Sequence, residues 1–229
     1  MKRVVRKIDR AIKQIYNLEH EFQAEDFLVL DDYADERVAS GKAVELGLDG
    51  ALLIRHQKRN EPDEEITLGI YLSESVRLQL STFPHWEKCP WSNTQLKAFT
   101  VATEEVSHFH YLLHHALGGR SLSQIELELQ GEIDKFILVF FAQLQQGKAA
   151  RAAFETLYEQ FFVNYRLSDK LTDAERRRYH EASQLAMRFI YRCRRYLDSP
   201  RHYDRAFRLL RQFYRLNRAE KLSFIAALS

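Results

Sequence analysis

Cysteine is nearly missing from this chain of 229 residues. Cys89 and Cys193 are far apart and in no Cys-x-x-Cys spacing, which excludes a disulfide framework and a cysteine-bound zinc ribbon. Both fit a reducing compartment as thiols, and the expected location is cytoplasmic. Eight glycines and four prolines leave little material for flexible linkers, so the elements are expected to pack on one another. No apolar run is long enough to cross a bilayer. The most apolar stretch, Phe136 to Ala142, is flanked by Lys135 and Gln143 and reads as a buried helix segment. The basic start, Met1 to Lys7, is not followed by the apolar run of a signal peptide, so neither export nor a membrane span is expected. Glycine-rich phosphate loops, a Walker-type lysine and a Gly-x-Ser-x-Gly elbow are also missing, which argues against nucleotide hydrolysis and serine-hydrolase chemistry.

Charge is present in quantity and unevenly spread. The net charge is +2, yet residues 1–169 hold 19 Lys and Arg against 26 Asp and Glu, whereas residues 170–229 hold 15 against 6. The sequence therefore divides into an acidic part, 1–169, and a basic part, 170–229, expected to pack as one unit. Such a split suits a polyanion, an acidic protein partner, or mutual neutralisation within one fold or across an oligomer.

Hydrophobic spacing gives an α+β protein, predominantly α. Val4, Ile8, Ala11, Ile12, Ile15, Leu18 and Phe22 recur at intervals of three and four and predict an amphipathic helix over 4–22. Phe27 to Leu30 is a short strand candidate. Ala51–Arg55 and Ile66–Leu72, joined by the polar loop Lys58–Glu64, predict an antiparallel hairpin. From Ser73 onward the period is helical, with six to seven helices in all. Ser92-x-x-Gln95, Ser123-x-x-Glu126 and Thr172-x-x-Glu175 match capping boxes, Gly118-Gly119 and Gly147 supply helix stops, and Ser199-Pro200 separates two late helices.

The helix from Ser92 to Leu117 carries Glu104, Glu105, His108, His110, His114 and His115. At about 100° per residue, Glu105 falls inside its apolar arc and His108 on the edge. A buried carboxylate must be protonated, paired or metal-bound, because leaving it unpaired costs several kcal/mol. One reading pairs Glu105 with an Arg or Lys of a neighbouring helix and leaves Glu104 and His108 as an exposed pair. The other uses the short turn Gly118-Gly119-Arg120, which makes the next helix an antiparallel neighbour and lets Glu105, His108 and Glu132 converge, with Asp134 pointing elsewhere.

Glu104-Glu105-Val106-Ser107-His108 resembles the His-Glu-x-x-His motif of gluzincin metallopeptidases with Glu104 in place of the first histidine. Glu128-Leu129-Gln130-Gly131-Glu132 is similar to their downstream glutamate helix. The resemblance covers roughly residues 65–140. It implies a zincin-like core, zinc as the cofactor, Glu105 as general base, His108 and Glu104 at ligand positions, and Glu128 or Glu132 as the third ligand. It also implies a weakened site, since the family pattern without its first histidine is that of scaffolds that have lost catalysis. Glu105-x-x-His108 is likewise the spacing used in di-iron carboxylate bundles, for which His180 and Glu181 are the only late-chain counterparts.

Arg188, Arg192 and Arg195 form one stripe of the long basic helix, and Arg205, Arg208, Arg211, Arg215 and Arg218 recur at three or four on the next. Arginine offers planar bidentate contacts, which suits anion recognition. Three functions follow. The first is a non-catalytic binding or regulatory component of a protein assembly on a degenerate zincin-like scaffold, with an acidic protein surface docked on the arginines. The others are a metal-dependent, peptidase-like hydrolase using Glu105 and His108, and a nucleic-acid-binding accessory protein using the arginine stripe.

Overall fold

The computed structural model describes residues 1–29, 49–58, 64–86, 88, 90–167 and 171–227. Leu30, the hairpin tip, Cys89 and the 169/170 division fall outside the described residues. The chain runs α1 (Lys2–Tyr16), a 3-10 turn (Ala24–Phe27), β1 (Leu28–Val29), β2 (Gly50–Lys58), β3 (Glu64–Leu72), α2 (Glu74–Thr82), α3 (Asn93–Leu117) and α4 (Gln124–Gln145). It continues with α5 (Ala150–Tyr158), which runs into a π-turn (Glu159–Val163), then α6 (Asp173–Leu197), a 3-10 turn (Pro200–His202), α7 (Tyr203–Arg215) and α8 (Arg218–Ala227). The α+β, mainly α reading holds, and no helix among the described residues is long and apolar enough to cross a membrane.

The hairpin forms as expected, with Gly50 opposite Leu72 and Lys58 opposite Glu64. β1 then adds to the other edge of β3 in parallel, giving the order β1-β3-β2. The first helix is shorter than its hydrophobic pattern predicts. Asn17 adopts the left-handed conformation (φ 53°), and its N–H donates to the Lys13 carbonyl. Asparagine tolerates that region at low cost, so the chain turns there in spite of the continued spacing of Leu18 and Phe22. Phe22 is consequently left 45% exposed. Beyond the turn, the Ala24 N–H donates to Asp9 Oδ1 at 2.8 Å, tying the returning chain to α1.

All three capping boxes form. The Gln95 and Glu175 N–H groups donate to the Ser92 and Thr172 hydroxyls, and the Glu126 carboxylate accepts from the N–H and hydroxyl of Ser123. Gly119 and Gly147 supply positive φ after α3 and α4. The core lies between α3 and α4, with α1, α2 and the sheet on one side and α5 to α7 around the rest. Phe136 to Phe140 and Ala142 are buried at its centre. The basic helix α6 packs along α4, and α7 packs on α1.

Candidate metal centre

The tight turn after α3 sends α4 back antiparallel to it, and Gly131 sets how closely the two helices approach. A Cβ on Gly131 would lie 3.0 Å from His108 Nε2 and 3.3 Å from Glu104 Cγ. Its absence lets both side chains lie flat against the α4 backbone. Gly50, at the start of β2, plays the same part on the other side of α3, where a Cβ would meet Val101 at 2.8 Å and Glu105 Cγ at 3.0 Å. That strand end is held by Lys97, which pairs with Asp49 at 2.7 Å.

Ligand atoms of Glu104, His108 and Glu128 all lie within 4.8 Å of one another, and such a group could hold a metal ion. His108 Nε2 is 3.8 Å from Glu128 Oε2, and His108 Nδ1 is 3.7 Å from Glu105 Oε2. Both separations exceed a hydrogen bond. The Nε2–Glu128 separation is about half an ångström longer than the ~3.3 Å edge expected between donors of a tetrahedral zinc whose bonds are about 2.0–2.1 Å, whereas Glu105 lies off the other ring nitrogen. His108, Glu105 and Glu128 are buried, with 9%, 7% and 7% exposure respectively.

Around this group stands a ring of charge. Lys135 Nζ lies 2.8 Å from both Glu104 Oε2 and Glu132 Oε1, leaving the other Glu104 oxygen free of it. From α6, Arg178 Nε approaches Glu128 Oε1 at 3.5 Å while its terminal nitrogen donates to Gln124 at 2.8 Å. Four buried polar atoms here find no hydrogen-bond partner: Glu105 Oε2, His108 Nε2, Glu128 Oε2 and Arg178 Nε. Buried polar atoms are ordinarily satisfied, so several such atoms on neighbouring charged side chains mark the site.

The protonation pattern follows from burial and the crowded carboxylates. Burial alone would push His108 down, but Glu105, Glu128 and Glu104 reverse this and raise it to about 9. Burial raises Glu105 and takes Glu128 to about 7 in spite of His108. Burial also raises Glu132 against the pull of Lys135, whereas in Glu104 burial is overcome by Lys135 and His108 together, which lower the carboxyl. Tyr179, beside Arg178, is raised by burial and by Glu104, Glu128 and Glu105.

Several expectations need correction. Glu132 does not converge with His108. It is taken by Lys135, three residues further along α4, and Glu128 faces His108 in its place. Among the described residues Glu105 is paired with no Arg or Lys, its charged partner being His108, and Glu104 is an inward bridge to Lys135 instead of an exposed partner of His108. His180 and Glu181 lie outside the centre: His180 bonds Tyr165 at 2.7 Å and Glu181 pairs with Arg218 at 3.0 Å. Asp134 does point elsewhere, into a second buried cluster where it accepts from Tyr16, Ser107 and Gln130. Lys135, Arg178 and Tyr179 were not foreseen. Lys135 stands three residues after Glu132, an ion-pair spacing visible in the sequence, but nothing local places α6 over the site.

The arginine stripe also divides. Arg211 donates to the carbonyls of Ile15 (2.7 Å) and Gln14 (3.2 Å), and Arg215 to that of Tyr16 (3.1 Å), so these two close the end of α1. Arg218 is held by Glu181. Arg188, Arg195, Arg205 and Arg208 are exposed, and Arg192 is half-buried.

No protein family, curated protein or solved structure matches this chain.

Proposed function

We propose that Glu104, His108 and Glu128 hold a divalent cation and that Glu105 serves beside it as the general base of a hydrolytic centre. The observation that carries this reading is that ligand atoms of Glu104, His108 and Glu128 lie within 4.8 Å of one another between α3 and α4, with His108 Nε2 and Glu128 Oε2 buried and without a hydrogen-bond partner. Lone buried groups of this kind are costly, and a cation would satisfy those two together. When bound, a cation such as zinc supplies Lewis-acid polarisation of a substrate oxygen and lowers the pKa of water. Glu105 offers a free Oε2 for accepting a proton, and Arg178 holds Glu128 in orientation. The likeness of Glu104 to His108 to the gluzincin motif makes a peptide bond the first substrate class to test.

A second reading is supported by Lys135. Because it already neutralises Glu104, the scaffold could serve as a non-catalytic component of an assembly. The test is elemental analysis of untagged protein purified without chelator, beside His108→Ala, followed by peptide turnover by the parent and by Glu105→Gln. About one ion per chain, lost in His108→Ala, with turnover lost in a metal-retaining Glu105→Gln, is the expected result. Metal without turnover in the parent leaves the binding component, and no metal overturns both the centre and the hydrolase.

A further inference from the structure

Beyond Arg176 and Arg177 near its start, the arginines of α6 fall into two groups. Those that face the protein are engaged: Arg178 by Gln124 and Glu128, and Arg194 by Glu155 at 2.7 Å. Those that face outward at 188, 192 and 195 have no carboxylate partner among the described residues. They recur at i, i+4 and i+7, and so share one face of the helix. Tyr191 lies on the same face and is 55% exposed. Its ring stands 5.8 Å from that of Tyr158 on α5, and Arg195 lies over the Tyr196 ring at 4.7 Å. Glu155, the carboxylate bordering this face, is already shared between Arg194 and Arg151.

We infer that this face of α6 binds single-stranded nucleic acid, with Arg188, Arg192 and Arg195 on phosphates and Tyr191 stacked on a base. The chemistry favours this occupant over an acidic protein. Guanidinium forks match phosphate oxygens, and an exposed ring among them gives a splayed base a stacking platform. An acidic protein surface would also meet these residues, since Tyr and Arg are enriched at protein interfaces, but it offers carboxylates and no base for Tyr191 to stack on. A duplex hides its base faces from such a ring, so the single strand is the form that uses both features.

The test is fluorescence anisotropy of the full chain with labelled 20-mers of oligo-U, oligo-dT and a mixed duplex, from 50 to 200 mM salt. Three phosphate contacts at about −0.7 each in log–log slope give roughly −2, so single-strand affinity should fall on the order of tenfold across that range. Tyr191→Ala should weaken binding about tenfold with the salt slope kept. The double variant Arg188→Ala/Arg195→Ala should weaken it and flatten the slope by more than half. Arg211→Ala, which alters the α1 end, should leave the slope unchanged. Binding of both single strands, or of only one, assigns the strand chemistry. Lack of binding at 50 mM salt, indifference to the Tyr191 and arginine variants, or equally tight binding of polyglutamate overturns the inference.

Discussion

Gly131→Ala tests the geometry of the centre without touching a ligand. Replacing a mid-helix glycine by alanine ordinarily stabilises a helix by about 1 kcal/mol. Here the added methyl would lie 3.0 Å from His108 Nε2 and 3.3 Å from Glu104 Cγ. Restoring ordinary contact requires roughly half an ångström of movement, whereas metal–ligand distances tolerate only about 0.2 Å. The two effects on the metal-free protein oppose each other, so its stability should change by less than about 1 kcal/mol. Metal affinity should fall at least tenfold, about 1.4 kcal/mol.

Thermal melts with and without zinc or manganese read this out through linkage. At an ion concentration 100 times the parent dissociation constant, the parent should gain about 2.7 kcal/mol and a tenfold weaker variant about 1.4 kcal/mol. Competition with a chromophoric chelator gives the affinities directly. A variant that binds as tightly as the parent would refute the placement of His108 and Glu104 against the α4 backbone.

Arg211→Ala removes two donors from the last carbonyls of α1 and should cost about 1–2 kcal/mol in urea unfolding; no loss would show that water caps α1 equally well. Lys221 is 1% exposed, and burial pushes its ammonium from 10.5 down to about 7. Between those values the unfolded chain binds a proton that the folded chain does not, so this group's contribution to stability rises with pH through the window, and its full cost is present below about 7. Lys221→Met should therefore stabilise the protein by a few kcal/mol at pH 6, a gain that fades by pH 10; a pH-independent difference in urea midpoint would contradict this. Glu104→His should tighten zinc binding by adding a nitrogen donor while weakening the metal-free fold, because Lys135 loses a partner at 2.8 Å; zinc titration and melts measure the two halves separately.

What was legible in the sequence is what local chemistry determines. Ser92, Ser123 and Thr172 mark helix starts because a hydroxyl and a carboxyl or amide three residues on can serve the first turn's N–H groups with no help from the rest of the fold. The antiparallel hairpin and the antiparallel α3–α4 pair follow in the same way from short connections. The end of α1 was misread because periodicity persists past Asn17, while the chain's direction there is set by one left-handed residue. The choice of Glu128 over Glu132 depends on the close approach at Gly131 and on Lys135, a competition between neighbours that angular arithmetic does not weigh. Arg178 and Tyr179 were invisible because their place comes from α6 packing on α4, a contact between residues about fifty positions apart.

The charge count of the centre bears on which of its readings is physical. Glu104, Glu105, Glu128 and Glu132 face two permanent cations, Lys135 and Arg178. Ionised together, the carboxylates outnumber them by two charges in a buried site. A protonated His108 halves that excess, and a proton retained on one carboxyl removes the rest. This is the arrangement of an ion-pair network, but at 3.8 Å it leaves Glu128 Oε2 and His108 Nε2 without a hydrogen bond. A divalent cation would cancel the excess with His108 neutral and all four carboxylates ionised, and His108 Nε2 and Glu128 Oε2 would be among its ligands. A bound cation would thus meet both demands, whereas the ion-pair network balances charge but leaves His108 Nε2 and Glu128 Oε2 beyond hydrogen-bond reach.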